Sequence, residues 1–368
     1  MPVIGYTDAL NDALERMQDL GYERGAQGDL TNHGPMGAEA LALLGHGGEV
    51  AAWVESYRTA MPHHEVPARS RPIDPADASS WRPALGDFSR AGDWEQLFER
   101  ELAQRPWREV LIEWWPRLLP GLLSQLTHGL IRTAHAVRSL TATERPTRLQ
   151  LVELSRGLAY WAARFAHLPG EVRMRGTIGM GAAIAALPRT PLDDARGGRA
   201  AYGRRLADPG QLAGWEQALD ALTPAHTQWL LSELTCEFAG VYLGQRKLFP
   251  VPLIHAVTAP AAARLVLPQL PEELHLPTLA ALWHVNSAIL LAFTADRAAE
   301  DGAVREAAEA QLPPFGELVA RAVEHGDEHV IKFTEACARE YALRPDPRYP
   351  AAVVAAQQRI KPLRRTAS

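Results

Sequence analysis

The sequence predicts an all-α fold, a single multi-helix domain over residues 1–368, and three observations carry that prediction. Apolar residues recur with a period near 3.6 along most of the chain. Runs that alternate Val, Ile or Thr with polar residues, the mark of strands, are nearly absent. Prolines open segment after segment, at Pro35, Pro209, Pro224, Pro252 and Pro277, where the missing N–H of a first helical turn costs nothing. No repeat at a solenoid period interrupts this pattern.

Taken in order, Thr7 or Asp8 can cap a helix through Leu10, Leu14 and Met17 that ends at Gly21. Helices follow at Pro35 to Leu44 and Glu49 to Ala60. Residues Met61 to Pro83 hold five prolines and read as an extended connector laid over the core. Further helices are predicted at Asp93 to Gln104, Trp107 to Trp115, Leu118 to Leu140, Thr147 to Ala166 and Gly176 to Leu187. After a surface loop at Pro188 to Gly198 come Pro209 to Leu222, Pro224 to Leu243, Pro252 to Leu267 and Pro277 to Asp296. The last three are Phe315 to His325, Glu328 to Tyr341 and Ala351 to Ile360.

Composition excludes several classes of function. A net charge of -5 and no basic run beside aromatic residues give no footprint for nucleic acid; Arg359 to Arg365 reads as a solvated tail. The first residues show no basic stretch leading into an apolar one, and no window of about 18 apolar residues is predicted to span a membrane. Cys236 and Cys337 are the two cysteines, too few for a disulfide framework. A soluble, cytoplasmic protein is expected. Nothing in the sequence sets its oligomeric state.

The segment Leu118 to Leu140 carries most of the chemistry. On a wheel at about 100° per residue, Leu119, Leu122, Leu126, Leu130, Ala134 and Val137 form one apolar stripe. Opposite lie Gly121, Ser124, Gln125, His128, Arg132, His135 and Ser139, with no Lys or Glu among them. Such a face predicts the lining of a central polar cavity rather than a solvated surface. His128 and His135 stand about 10.5 Å apart along the axis, so they either converge on one ion or serve as two separate structural histidines. Arg132 between them suits an anionic substrate or a developing negative charge.

Other candidates lie elsewhere. His33 is held just before a helix by Thr31, Asn32 and Pro35. His255 sits among Leu253, Ile254, Ala256 and Val257, and His284 in a helix apolar nearly all round; both are predicted in the core, where an imidazole needs partners. His325 and His329 have i, i+4 spacing, but Gly326-Asp327 breaks the helix between them. Lys332 follows, and Glu328 or Glu335 can pair with it; if desolvated, its amine can add CO2 to give a carbamate, an oxygen ligand. His46, His63, His64, His167, His226 and His275 fall in loops or at element ends. Gly176-Thr-Ile-Gly-Met-Gly follows no strand and lacks the dinucleotide spacing, and no G-x-S-x-G, P-loop or H-E-x-x-H occurs.

Several of these segments together resemble the questin oxidase-like family. The resemblance rests on Asn32-His33-Gly34-Pro35-Met36, on Trp107-Arg108-Glu109-Val110-Leu111, and on Pro116 to Gly121. It continues through His128-Gly129-Leu130-Ile131-Arg132-Thr133-Ala134-His135-Ala136-Val137-Arg138, Gly157 to Trp161, Ile254 to Thr258 and His329-Val330-Ile331-Lys332. These segments occur in order over residues 30–340, and His128 to Arg138 is the most specific.

The resemblance implies an oxygenase that inserts oxygen into, or cleaves, an anthraquinone-like aromatic polyketide, with O2 as co-substrate. It implies non-haem Fe(II) held by histidines and a carboxylated lysine. Carried over residue by residue, the ligands would be His33, His128, His135, His255 and Lys332, with His284 and His329 competing for the place of His255. Arg132 and an unligated histidine, His329, would stabilise the developing oxyanion. NADPH is a candidate electron donor, although no motif for it is present. Trp161 and Trp283 would help form an aromatic-friendly cavity. Two other functions fit the residues: a zinc-dependent hydrolase or lyase on the same cluster, and a non-catalytic helical ligand-binding protein with structural histidines.

Overall fold

The computed structural model describes residues 4–191, 198–223, 226–246 and 251–363. Eighteen α-helices and three two-residue strands are found among them. The chain begins with α1 (Tyr6–Arg16), β1 (Glu23–Arg24), β2 (Leu30–Thr31), α2 (Gly34–Leu43), α3 (Gly47–Ala60) and β3 (His63–His64). It continues through α4 (Ala78–Trp81), α5 (Ala91–Gln104), α6 (Trp107–Leu118), α7 (Ser124–Thr141), α8 (Arg148–Ala163) and α9 (Met180–Ala186). Then come α10 (Gly198–Ala207), α11 (Trp215–Leu219), α12 (Thr227–Gly244), α13 (Val251–Val266) and α14 (His275–Phe293). The chain closes with α15 (Arg297–Glu309), α16 (Phe315–His325), α17 (Glu328–Leu343) and α18 (Arg348–Arg359).

The all-α prediction holds, and one apolar core gathers residues from Tyr22 to Ala356. A smaller core joins α1, α2 and α3 with Ile331 of α17. Both α2 and α17 belong to the two cores at once: Met36 and Phe333 face the larger, Leu41 and Ile331 the smaller. Four helices then close a ring, since α2 packs on α7, α7 on α13, α13 on α17 and α17 on α2. Gly129 and Gly157 let α7 and α8 meet closely. A Cβ on Gly129 would lie 2.6 Å from the Cβ of Trp161, and one on Gly157 would lie 3.0 Å from the backbone of Thr133.

Four differences from the sequence reading have physical causes. First, the predicted helix Leu118 to Leu140 is interrupted. A 3-10 turn covers Leu119–Gly121, and Gln125, Leu126 and Thr127 take left-handed φ of 40°, 58° and 70°, so regular helix starts at His128. Second, β2, β1 and β3 form a small antiparallel sheet in that order; strands of two residues are too short to show an alternating pattern. Third, α15 has only alanines and one valine as its apolar residues, with no Leu, Ile or Phe to mark a buried stripe. Fourth, Val251–Gln269 and Glu272–Phe293 are long and apolar enough to cross a membrane by length and composition, yet 78% and 72% of those windows are buried in the protein. A helix apolar all round is what a core position requires.

Parts of the predicted loop Pro188 to Gly198, the start of the helix placed at Pro224 and the end of the basic tail lie outside the described residues. Trp161 and Trp283 are fully buried, and their indole N–H groups donate to Gly121 O and Ala218 O. They are core packing, not cavity wall.

Candidate metal centre

The four-helix ring brings four imidazoles and one lysine to a single point. His33 occupies the N-cap position of α2. Asn32 Oδ1 accepts from Gly34 N at 3.0 Å, and the His33 N–H donates to Tyr57 Oη at 2.7 Å, so the residue is held from both sides. His128 opens the regular part of α7, His255 lies in the first turns of α13, and His329 and Lys332 share one face of α17 at i, i+3. Ring centroids are 4.5 Å apart for His33 and His128, 4.5 Å for His33 and His329, and 4.3 Å for His128 and His255. Lys332 Nζ is 3.3 Å from His33 Nδ1.

Hydrogen bonds around the rings fix which nitrogen faces inward. His128 Nδ1 donates to the Gln125 carbonyl. His255 Nδ1 lies 3.4 Å from Thr127 Oγ1 and has the Leu126 carbonyl as backbone partner. The left-handed turn therefore aims its own carbonyls at two histidines, a strained arrangement of the kind that accumulates at functional sites. In both rings Nε2 is left buried with no hydrogen-bond partner. A buried lone pair without a donor is unfavourable, and two of them in adjoining rings form a donor set waiting for an acceptor of electrons. On α17, Asp327 Oδ1 is 3.3 Å from His329 Nδ1. The same carboxylate caps the helix by accepting from His329 N and Val330 N. A carboxylate behind an imidazole is the usual support of a metal-binding histidine.

Electrostatics favour the neutral, ligating form. Burial holds His33, His128 and His255 well below the ordinary histidine range, and nearby Lys332, His329 and one another lower them further. Burial also brings Lys332 down to about 8, although Glu328 and Asp327 pull it back up. Glu328 is a further oxygen donor: ligand atoms of His33, Glu328 and His329 all lie within 4.8 Å of one another. The sequence reading treated Glu328 only as a partner for Lys332.

The expected ligands thus divide. His33, His128, His255 and Lys332 are brought together, and His329 joins them. His135 is not: its Nδ1 is 2.7 Å from Glu39 Oε2, because it lies two turns beyond His128 and faces α2 instead. Arg132 is not there either; it is fully buried and forms two bonds of 2.6 and 2.8 Å with Glu153 on α8, so its charge is already matched. His284, expected in the core, lies partly exposed against Trp215 with Nε2 on Pro169 O. His325 binds Ile360 O from the far side of the Gly326 break. The hollow beside His135 and Glu153 measures about 10 Å³, so the polar face of α7 packs against other helices rather than lining a wide cavity.

No protein-family model matches the chain, and no curated protein matches it either.

Proposed function

We propose that the protein is a metal-dependent oxygenase acting on an aromatic, anthraquinone-like small molecule, with Fe(II) held by His33, His128, His255 and His329. The observation that carries this reading is the gathering of three buried imidazoles and the partly exposed His329, with two Nε2 atoms that have no partner. Neutral imidazoles suit iron among other first-row metals, and the resemblance of the His33, His128 and His329 segments supplies the oxygenase chemistry. Fe(II) held by these residues would supply the electrons that activate O2.

The chain's own residues do the rest. The Gln125 and Leu126 carbonyls and the Asp327 carboxylate hold ring N–H groups and so point the opposite nitrogens inward. The helices bury His33, His128, His255 and Lys332, which strengthens the polar interactions on that side of the centre. Lys332 as an ammonium, 3.3 Å from His33 Nδ1, would repel a cation. Its free amine adds to CO2 with loss of a proton, and the resulting carbamate removes that repulsion and adds a hard oxygen donor.

Full-length protein purified without air tests the reading by its metal content and by O2 uptake with a hydroxyanthraquinone, with and without NADPH. The expected result is about one iron per chain, because the ligands meet at a single site whose occupation is coupled to the fold, and iron-dependent O2 uptake. Stoichiometric zinc without such uptake would favour the hydrolase or lyase and overturn the oxygenase.

A further inference from the structure

Beside the imidazoles lies a second group of buried polar atoms without partners. Arg24 on β1 is 2% exposed, and its Nε and Nη1 have no acceptor among the described residues. The guanidinium lies 3.9 Å above the Tyr57 ring, on the tyrosine that holds the His33 backbone. Nη1 stops 3.6 Å from Glu328 Oε1, beyond hydrogen-bond length. Glu328 cannot serve Arg24 alone, since the same oxygen is 4.0 Å from His33 Nδ1 and the carboxylate also acts on Lys332.

Arg24 pairs directly with His63 across the β1–β3 ladder, so the two side chains share one face with Cβ atoms about 5 Å apart. The His63 ring is 5.7 Å from that of Tyr57, and both of its nitrogens are buried without a partner. Burial, then Arg24 and Arg58, brings His63 down to about 4, so the ring is neutral and offers one donor and one acceptor. One cross-strand pair therefore holds unmet donors from both of its members, next to the metal centre. Glu328 at 3.6 Å and Tyr57 serve the guanidinium only in part, so its buried Nε and Nη1 remain open to an anion.

We infer that Arg24 and His63 form an anion subsite that takes the carboxylate or phenolate oxygen of an aromatic substrate. One carboxylate, Glu328, bridges Arg24 and His33, so an anion on Arg24 places its ring beside the imidazoles. That the anion belongs to a substrate rests on the oxygenase reading; the subsite itself rests on the unpaired nitrogens. His63, with β3 at the start of the proline-rich connector, forms the outer wall of the subsite, and Arg24 the inner one.

The test uses the iron-loaded full chain. Crystals grown with 4-bromobenzoate locate the bromine by anomalous scattering, and benzoate is titrated against the parent protein, Arg24→Gln, Arg24→Lys and His63→Ala. The expected bromine lies within one ring length of Arg24. Binding weakens more than about tenfold in Arg24→Gln, as loss of a buried charge partner requires, and less in the other two. No saturable binding to the parent protein, bromine elsewhere, or unchanged affinity in Arg24→Gln would overturn the inference. If Arg24→Gln does not fold, the bromine position and the His63→Ala titration decide. Iron is assayed in the same samples. Benzoate on Arg24 without iron supports the subsite while removing the oxygenase; iron without benzoate does the reverse.

Discussion

Two buried polar regions sit on the same helices, and they are built in opposite ways. In the first, Glu39 of α2 accepts from Tyr6 Oη at 2.6 Å, His135 at 2.7 Å and Arg138 Nε at 2.8 Å, and Arg138 Nη1 reaches Glu335 of α17 at 2.6 Å. Arg339 Nε completes Glu335 at 3.0 Å. In the second, about two to three turns away on α7 and one turn away on α17, the contacts of Lys332, Arg24 and Glu328 are 3.3 to 4.0 Å long. There the Nε2 atoms of His128 and His255 meet nothing. The first region spends its polar atoms on holding α2, α7 and α17 together. The second keeps them unpaired, which lowers stability and is the mark of a site made for something else.

That contrast is open to direct attack, and pH offers the largest effect. In metal-free protein, His33, His128 and His255 stay neutral in the fold while their unfolded counterparts take up protons below about pH 6.5. Stability is therefore full above that value and is lost as pH falls toward the depressed folded values. Each histidine contributes a slope of up to about 1.4 kcal/mol per pH unit, and three give about 4. Glu39 behaves differently. Burial raises it, but Arg138 and His135 outweigh burial and bring it to about 2; Glu335 is lowered as well. Their contribution is full above about pH 4.3 and is lost only as pH falls through their folded values. Thermal melts at stepped pH should show a first loss starting near 6.5 and a separate one below about 4.3. The likewise lowered His135, His63 and His284 add to the first loss, which shrinks in His255→Leu. A single loss confined to the acid end would erase the distinction.

Mutation comes next. Glu39→Gln leaves Arg138 short of a buried partner and should cost about 3–5 kcal/mol in denaturant unfolding, with bound metal unchanged. A loss below about 1 kcal/mol would mean that the network is no better than a surface pair. Fe(II) at a hundred times its dissociation constant should stabilise the parent protein by about 2.7 kcal/mol, and His255→Leu should abolish most of that gain. Without metal, the same His255→Leu should be about 1 kcal/mol more stable than the parent, because it removes an unpaired buried nitrogen. Destabilisation as large as that of Glu39→Gln would instead make His255 a structural residue.

Much of this was legible in the sequence. The period near 3.6 placed most helices, and Gly326-Asp327 marked the break that does separate α16 from α17. The pattern around His33, His128, His255 and Lys332 left a structural role open for each; the resemblance grouped them with His135, and those four meet while His135 does not. What failed was the assumption that one wheel describes Leu118 to Leu140. The three left-handed residues reset the helix, and no glycine announces them. The wheel also could not show which neighbours face His128, Arg132 and His135. The counter-charges Glu39 and Glu153 come from α2 and α8, and a helix read alone does not contain them. Arg24 and His63 escaped notice because a two-residue strand pair leaves no pattern, and only the folded ladder sets them side by side.

The central claim is that the unpaired region holds a metal and the paired region does not. A crystal of protein purified without air, measured on both sides of the iron absorption edge, tests it most directly. The account predicts one anomalous peak bounded by Nε2 of His128 and Nε2 of His255, with His33 and His329 completing the set. A peak at His135 and Glu39, or no peak at all, would contradict it.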